Sequence, residues 1–449
     1  MQSKYQLDNV KFNHWLNIRK MTYDVLNEHL SGKVNYKINK NNSDQLDRFS
    51  IDKIAEVLEI PTSYLLKDEE TPVFLFKTKE EIEKTKRPIR RDGIHFYNYY
   101  TLPTPHSYIA PVLIDILCPK EKLPKLNHGH LEPATTISLG PNDIYARFAK
   151  KINKTNWVKF KINPDQKTNW VVGSSYYEPS YCLHTYSRAT DGPGKILSYT
   201  TKSNLENLLG KKLNDNSFKN MINSLGNLKV NRYLFKQDIF GKGYSLEEIS
   251  KKTKIPLQKI KNYFKNNKIF LNNSEINKIC NIIQSDPNLY ADRIFKEDKV
   301  GKLYYDYKDS LKTKRKFKSY LVASTANSAR YPDLFGYFIK VSNSKKKQII
   351  DLMDGTCSHY LVTGGDMKFN ILDGNKKLSI SIKEGDAFWI SAFTKHGFSG
   401  NGSLVKLSDG QNINYLEKQE LIKTFNLKNT LKRGRQDKQN WGYDETSVN

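Results

Sequence analysis

The chain has 449 residues, of which 27% are charged and 38% are hydrophobic, a composition typical of a globular protein with about three domains. No stretch approaches 18 uncharged apolar residues, and the N-terminal segment lacks the apolar core of a signal peptide. Neither a membrane span nor secretion is therefore expected. The four cysteines lie far apart without a CxxC pair, which argues against a zinc ribbon or a disulfide scaffold and favours the cytoplasm.

The charge balance is strongly basic, since 73 lysines and arginines against 47 acidic residues give a net charge of +26. Three interpretations are open. The charge could contact the phosphates of a nucleic acid, line a pocket for an anionic small molecule, or reflect only the Lys, Asn and Ile bias of AT-rich coding DNA. Because the basic residues are spread along the chain, the charge alone does not decide among them.

Residues 1–85 are predicted to be helical and resemble a repressor-type helix-turn-helix module. Thr22 is placed to cap a helix that runs through Val25 and Leu26. Further along, apolar residues recur at helical spacing until Pro61 ends the helix, namely Ile51, Ile54, Ala55 and Leu58.

Residues 86–204 consist of short apolar segments broken by Gly, Pro, Asn or Asp, which is typical of an all-β barrel or sandwich. The run 108–119 is bounded by prolines and indicates a buried strand. Residues 316–408 show the same pattern, so a second β domain is predicted at 301–412, followed by a basic tail at 413–449.

The two halves repeat one plan. In residues 205–300, Ser245 and Glu248 form a capping-box pattern. The apolar stripe also returns there at a constant offset, as Ile276, Ile279, Cys280 and Ile283. In the β regions, residues 173–186 align without a gap with residues 385–398. The order helical, barrel, helical, barrel therefore indicates an internal duplication.

The strongest chemical cluster is His130, Glu178 and His184. Two imidazoles and one carboxylate with open coordination positions form the facial triad of non-haem Fe(II) oxygenases. Glu178 and His184 are six residues apart, so both can face one side of a strand if it continues through Pro179. The alternative is that the histidines are ordinary core or surface groups.

The second repeat provides an internal comparison for this cluster. His359 and His396 are expected at the positions of His130 and His184, but the gapless alignment sets Ile390 opposite Glu178. An isoleucine cannot bind a metal. We therefore expect one metal site, in the first β domain, and a vestigial one in the second.

Three long strings, at residues 86–103, 127–144 and 176–187, resemble the hydroxyethylphosphonate dioxygenase family, as do the segments 430–437 and 441–444. The resemblance implies an α+β fold, a tandem repeat of a helix-turn-helix-like helical domain followed by a cupin β-barrel. It also implies an enzyme that uses Fe(II) and O2, without 2-oxoglutarate, on a small-molecule phosphonate. The implied reaction cleaves the C–C bond of 2-hydroxyethylphosphonate to hydroxymethylphosphonate and formate.

The same resemblance implies roles for individual residues. His130, Glu178 and His184 match the iron ligands, and Tyr99 and Asn127 match catalytic residues. The implied substrate contacts are Lys20, Arg91, Tyr99, Asn127, Ser198 and Lys406. A phosphonate carries nearly two negative charges, which arginine binds with paired donors and lysine binds as a point charge.

A related family, methylphosphonate synthase, acts on the same substrate and is the main alternative. In that family a glutamine four residues after the first histidine replaces the carboxylate ligand, whereas this chain has Ala134 there and retains Glu178. Tyr99 also matches the dioxygenase, since the synthase tends towards Phe. His128 departs from the family string, which usually has Asn at that position.

A DNA-binding ligand sensor is the second alternative, because helix-turn-helix modules joined to cupins occur in transcription regulators. The segment that would read DNA, residues 33–47, is irregular and rich in Asn and Lys. A sensor also has no need of a redox metal triad. A nucleic-acid partner is therefore not expected, while a homo-oligomer is left open.

Overall fold

The computed structural model describes residues 6–428, apart from 36, 40–42, 44–45, 68–70, 123–124, 152–153, 165–169, 204–215, 217–218, 221–222, 224–228, 291–296 and 298–300. The basic segment 429–449, which includes the strings 430–437 and 441–444, lies outside the described residues. No helix among the described residues is long and apolar enough to cross a membrane.

The helices of the described residues are α1 Asn9–Ile18, α2 Tyr23–Leu30, α3 Arg48–Leu58, α4 Lys79–Glu83, α5 Val230–Gly241, α6 Leu246–Thr253, α7 Leu257–Tyr263, α8 Asn273–Ile283, α9 Tyr307–Lys312 and α10 Tyr415–Lys423. Helix α10 lies inside the region predicted as a basic tail. The predicted cap is confirmed, because the Thr22 side chain accepts a hydrogen bond from the backbone N–H of Val25. The capping box of Ser245 and Glu248 is also present.

Helices α3 and α8 share one local design. Each has 11 residues, begins at a side-chain cap and ends at a residue in the left-handed conformation, Glu59 or Gln284. A short 3-10 turn follows each helix, at Thr62–Tyr64 and at Pro287–Leu289. The two predicted apolar stripes are buried, each in a separate helical core.

The strands are β1 Phe74–Lys77, β2 Arg87–Arg91, β3 Ile94–Thr101, β4 Val112–Ile116, β5 Ala134–Pro141, β6 Ile144–Lys151, β7 Lys154–Phe160, β8 Ser175–Glu178, β9 Leu183–Arg188, β10 Gly194–Thr200, β11 Leu303–Tyr305, β12 Arg315–Phe317, β13 Tyr320–Ser324, β14 Phe335–Ser342, β15 Cys357–Asp373, β16 Lys376–Lys383, β17 Ala387–Ile390 and β18 His396–Asp409. The first β unit contains a sheet of order β11-β8-β5-β10-β4-β3-β2 and a sheet of order β7-β6-β9. The second β unit is the sheet β1-β17-β15-β18-β14-β13-β12, with β16 on β15.

Two segments differ from their predicted extent. The strand predicted at 108–119 is only β4, because the prolines near its ends cannot donate to a ladder. The short segments expected within residues 316–408 include one long strand instead, β15, with a bulge between Val362 and Gly364. Gly365 has φ +89°, and a Cβ there would lie 2.3 Å from the carbonyl oxygen of Asn401, so only glycine fits this turn of the strand.

The two β units exchange edge strands. Strand β1, which precedes the first unit, pairs with β17 of the second, and β11, which follows the second helical region, pairs with β8 of the first. These pairings cross the boundaries expected at 85/86 and 300/301. The units also share one apolar core, to which both contribute, as with Tyr100 and Leu197 from the first and Phe338 and Val405 from the second.

Candidate metal centre and substrate pocket

The structure brings His130, Glu178 and His184 together, with one ligand atom of each within 4.8 Å of the others. Oε1 of Glu178 lies 3.5 Å from Nε2 of His130 and 3.3 Å from Nδ1 of His184. The contact does not arise from one continuous strand, because the strand ends at Glu178. The chain turns at Tyr181, which has a positive φ, and His184 lies on β9 in the other sheet of this unit.

Backbone carbonyls orient both imidazoles. Nδ1 of His130 donates to the carbonyl oxygen of Glu132 at 2.6 Å, and Nδ1 of His184 donates to that of Cys182 at 2.9 Å. A histidine held in this way presents Nε2 as its free lone pair, which is the usual arrangement at a metal ligand. Burial also lowers the pKa of His184 to about 4, so its ring is neutral at pH 7 and able to bind a cation.

Glu178 is the buried carboxylate of the site, only 2% exposed. Burial raises its pKa well above the usual value, and the ammonium of Lys302 opposes that rise. Its Oε2 is buried without a hydrogen-bond partner among the described residues. A carboxylate in this state is costly unless a cation binds it, so the donor set fits a divalent metal ion with two imidazoles and one carboxylate.

Asn127 joins the two histidine-bearing segments. Its side-chain oxygen accepts hydrogen bonds from the backbone N–H of Gly129 at 2.9 Å and from that of His184 at 3.2 Å. Its backbone N–H also donates to the carbonyl oxygen of His184 at 3.1 Å. The side-chain amide donors of Asn127 are not used in these bonds, so one residue can position the histidines and still donate to a ligand.

A pocket opens beside His184 and Asn127, and Tyr99 lies in its wall. Its lining consists of Ile89, Phe96, Tyr97, Tyr99, Lys125, Asn127, His184, Thr185 and Tyr186. The Tyr97 hydroxyl donates to the carbonyl oxygen of Tyr186 at 2.9 Å, which fixes this wall of the pocket. Lys125 is the cation among the lining residues, and the sequence analysis did not single it out.

The other expected substrate residues are distributed unevenly. Ser198 lies opposite Thr136 across β10 and β5, on the same sheet face as Glu178, and its hydroxyl is 3.0 Å from that of Thr136. Lys20 is exposed after the end of α1 with φ 54° and is not among the residues of the pocket wall. Arg91 ends β2, and its side chain lies outside the described part of the structure.

Strand register shows how the second unit corresponds to the first. Glu178 pairs with Ala134 and Ile390 pairs with Ser358, so these pairs are equivalent. His396 behaves like His184, since its Nδ1 donates to the carbonyl oxygen of Thr394, two residues earlier.

The expected match of His359 with His130 is wrong. His359 pairs with Trp389, as Thr135 pairs with Tyr177, so its equivalent is Thr135. The residue four positions before Ser358 is Asp354, as His130 is four before Ala134.

Lys406 lies inside the second unit. It pairs with Tyr360 across β18 and β15, as Ser198 pairs with Thr136, so Lys406 and Ser198 are equivalent. Its side chain is 0% exposed, and Nζ lies 2.6 Å from Oδ1 of Asp354 and 3.0 Å from the Tyr337 hydroxyl. The structure therefore brings Lys406 together with Asp354, whereas the substrate contact expected for it would require a place near the first-unit cluster.

A second buried cluster, Cys357, His359 and Asp409, has ligand atoms within 4.8 Å of one another. Here both carboxylate oxygens of Asp409 already accept hydrogen bonds from Gln411, its backbone N–H at 2.8 Å and its side-chain amide at 3.1 Å. Burial raises the pKa of Asp409 to about 7. Because this carboxylate is satisfied by hydrogen bonds and that of Glu178 is not, the first cluster is the candidate metal centre.

Comparison with known proteins agrees with this site. Residues 83–201 match the model of the 2-hydroxyethylphosphonate dioxygenase cupin-like domain family. The chain is 32% identical over 98% of its length to the whole of the 2-hydroxyethylphosphonate dioxygenase of Streptomyces viridochromogenes. It is 25% identical over 80% of its length to 78% of the methylphosphonate synthase of Nitrosopumilus maritimus.

Solved structures give the same relationship over nearly the whole chain. A structure described as PhpD with cadmium and hydroxyethylphosphonate matches with a TM-score of 0.80 and 30% identity, covering 96% of this chain and 100% of the other. The Streptomyces albus enzyme with substrate and Fe(II) bound shares the fold, with a TM-score of 0.75, 13% identity and coverage of 96% and 98%. The chain therefore belongs to the 2-hydroxyethylphosphonate dioxygenase family.

Proposed function

We propose that this protein cleaves the C–C bond of 2-hydroxyethylphosphonate with O2, using Fe(II) held by His130, Glu178 and His184. The carbon attached to phosphorus leaves as hydroxymethylphosphonate, and the carbinol carbon leaves as formate. One substrate and one O2 account for all atoms and electrons of the two products, so no 2-oxoglutarate is needed. The observation that carries the proposal is that His130, Glu178 and His184 converge, and that Oε2 of Glu178 is buried there without a hydrogen-bond partner among the described residues.

Iron, when bound, would supply a binding site for O2 and for substrate oxygens, together with the capacity for electron transfer. The chain's own contribution is geometric. The imidazoles of His130 and His184 and the carboxylate of Glu178 would hold the ion, and the carbonyl oxygens that accept from the imidazoles fix the ring orientations. Three protein ligands would leave room for a bidentate substrate and O2.

The phosphonate would bind in the pocket beside His184 and Asn127. The amide donors of Asn127, the hydroxyl of Tyr99 and the ammonium of Lys125 line that pocket and can neutralise and orient the dianion. Ser198, with Lys20 and Arg91 by resemblance, is proposed for the same purpose. Binding the anion in one orientation places the carbinol carbon beside the reacting oxygen.

Within the mixed helix-and-sheet architecture with its cupin-like domain, we also propose a duplicated domain arrangement. The equal lengths and caps of α3 and α8 support a duplication of helix-turn-helix-like domains at 1–85 and 205–300. The matching registers around Glu178 and Ile390 support a duplicated cupin at 86–204 and 301–412. We assign the helical domains no DNA-binding function, and we place the enzyme in the cytoplasm.

Phosphorus NMR tests the reaction directly. The purified protein is loaded with Fe(II) anaerobically, mixed with 2-hydroxyethylphosphonate and exposed to air. Hydroxymethylphosphonate with an equal amount of formate is the expected result. Methylphosphonate as the product would instead favour the synthase reaction. It would also show that Ala134 and Glu178 of this chain do not determine which product forms. Unchanged substrate with iron bound would contradict the proposal.

A further inference from the structure

Lys302 is a buried lysine that the second half of the chain contributes to the first β unit. It is 4% exposed and immediately precedes β11. Strand β11 pairs with β8 in the register Leu303 to Tyr177, and continuing this register by one residue sets Lys302 opposite Glu178. Residues opposite each other in an antiparallel pair point to the same sheet face, so the ammonium and the carboxylate share one side.

Aromatic contacts also place the ammonium of Lys302 near the strand that carries His184. Nζ of Lys302 lies 4.5 Å from the ring centre of Phe148 and 5.9 Å from that of Tyr304. Phe148 is directly opposite His184 in the β6–β9 pairing. The cation is therefore held over an aromatic face next to two of the three candidate ligands.

The backbone around Lys302 fixes this position. Gly301 has φ +85°, and a Cβ there would lie 3.2 Å from Cγ of Pro179, the residue that follows Glu178. Two residues further on, the Tyr304 hydroxyl donates to the carbonyl oxygen of Lys159 at 3.1 Å, and its ring stacks on Phe160. The segment is therefore anchored on both sides of the lysine.

The second unit provides an internal comparison. There β1 takes the edge position of β11, and Phe74 is the residue opposite Ile390. The ring of Phe74 packs edge-on against that of Phe369, with the ring centroids 6.0 Å apart. Where the carboxylate of Glu178 is replaced by the hydrocarbon of Ile390, the lysine across the strand is replaced by a phenylalanine, so the ammonium accompanies the carboxylate.

We propose that Lys302 is a positioning residue of the metal centre, whose ammonium offsets the charge of Glu178 and favours the divalent over the trivalent state of a bound iron ion. The proposal rests on the proposed function, because it requires iron at this site. A positive charge fixed in a low-dielectric interior destabilises Fe(III) more than Fe(II), since its repulsion grows with the charge of the ion. The enzyme would thereby keep the oxidation state that binds O2.

A redox titration of the iron-loaded protein tests this role. Lys302→Met keeps the apolar stem and removes the charge, and Lys302→Gln serves if the Met variant does not fold. Electrons are exchanged with ferricyanide and dithionite, and the EPR signal of Fe(III) is followed. Removal of the charge is expected to raise the Fe(III)-to-Fe(II) affinity ratio by about tenfold, which is a potential lower by about 59 mV for one electron.

Tyr304→Phe is the matched control, because it alters the same strand without changing its charge. An unchanged potential in the Lys302 variants would overturn the proposal, and so would an equal shift in Tyr304→Phe. Failure of the wild-type protein to bind iron would instead contradict the proposed function, and it is detected by iron analysis before the titration begins.

Discussion

The ammonium of Lys406 lies 2.6 Å from Oδ1 of Asp354. Strand register makes Lys406 the equivalent of Ser198, and Asp354 precedes Ser358 by four residues as His130 precedes Ala134. His396, the equivalent of His184, lies 3.7 Å from Oδ2 of the same aspartate. An internal cation in the second unit thus sits beside the groups that correspond to metal ligands in the first. The ion pair satisfies Asp354 without a metal, and its two side chains are 0% exposed at Lys406 and 20% exposed at Asp354.

Conversion of the second unit into a metal site is the first prediction. Ile390→Glu supplies the missing carboxylate, and Lys406→Ser removes the competing ammonium and restores the residue found at Ser198. The double variant is expected to bind two divalent ions per chain by calorimetry with Co(II). Ile390→Glu alone is expected to stay at one, because the new carboxylate pairs with Lys406. A stoichiometry of one in the double variant would show that the equivalence is only topological.

Loss of the carboxylate in the first unit should greatly weaken metal binding. Glu178→Ala leaves only two imidazoles as ligands. Loss of a residue that hydrogen-bonds to a metal ligand typically lowers metal affinity about 10–100-fold, and loss of the ligand itself is expected to lower the affinity for Fe(II) by more than that. Ile390→Ala is the control at the equivalent buried position and should bind one ion as tightly as the wild type. Equal iron occupancy in the two variants would contradict a single site at Glu178.

Asn127 should act as a positioning residue through its side-chain oxygen. Asn127→Ala loses the bonds to the backbone N–H groups of Gly129 and His184, and metal affinity should fall about 10–100-fold. Asn127→Asp keeps an acceptor oxygen and should retain metal affinity, while its added negative charge raises KM for the phosphonate. The decisive readout is whether the metal Kd and the substrate KM respond differently in the two variants. An equal loss of metal affinity in Asn127→Ala and Asn127→Asp would argue against the positioning role.

Acid should destabilise the fold through His396. Burial lowers the pKa of this histidine to about 4, while in the unfolded chain the group titrates near 6.5. Between these values only the unfolded state binds the proton. The free energy of unfolding therefore decreases as the pH falls from 6.5 to 4, by up to about 1.4 kcal/mol per pH unit from this group.

His396→Asn isolates that contribution. Denaturant unfolding is measured for the wild type and the variant across this pH range. The variant is expected to be less stable at pH 7 and to lose less stability per pH unit on acidification. Curves that run parallel would show that His396 is already protonated in the native protein or that its pKa is ordinary.

Local sequence signals predicted much of this molecule. The capping residues Thr22 and Ser245 and the apolar stripes of α3 and α8 depend only on neighbours in the chain, and they are found as predicted. His130, Glu178 and His184 were also identified, because their residue types suit a metal and because the family strings surround them.

Long-range pairing could not be read in the same way. The exchange of β1 and β11 depends on which sheet edge is free in the folded protein. The position of Lys302 opposite Glu178 could therefore not be predicted from the sequence. The match of His359 with His130 failed because it assumed that equal residue types mark equal positions, whereas strand register makes Thr135 the equivalent of His359. Lys302 and Lys406 each lie beside apolar or aromatic residues in the sequence, but their burial follows only from the pairing of strands that are distant in the chain.

The single metal centre is tested most directly with a crystal of the Fe(II)-loaded protein, measured with X-rays on both sides of the iron absorption edge. One anomalous peak per chain is expected, bounded by His130, Glu178 and His184, with none beside Asp354 and His396 or at the cluster of Cys357, His359 and Asp409. A peak at either of the other two clusters, or none at Glu178, would contradict a single metal centre at Glu178.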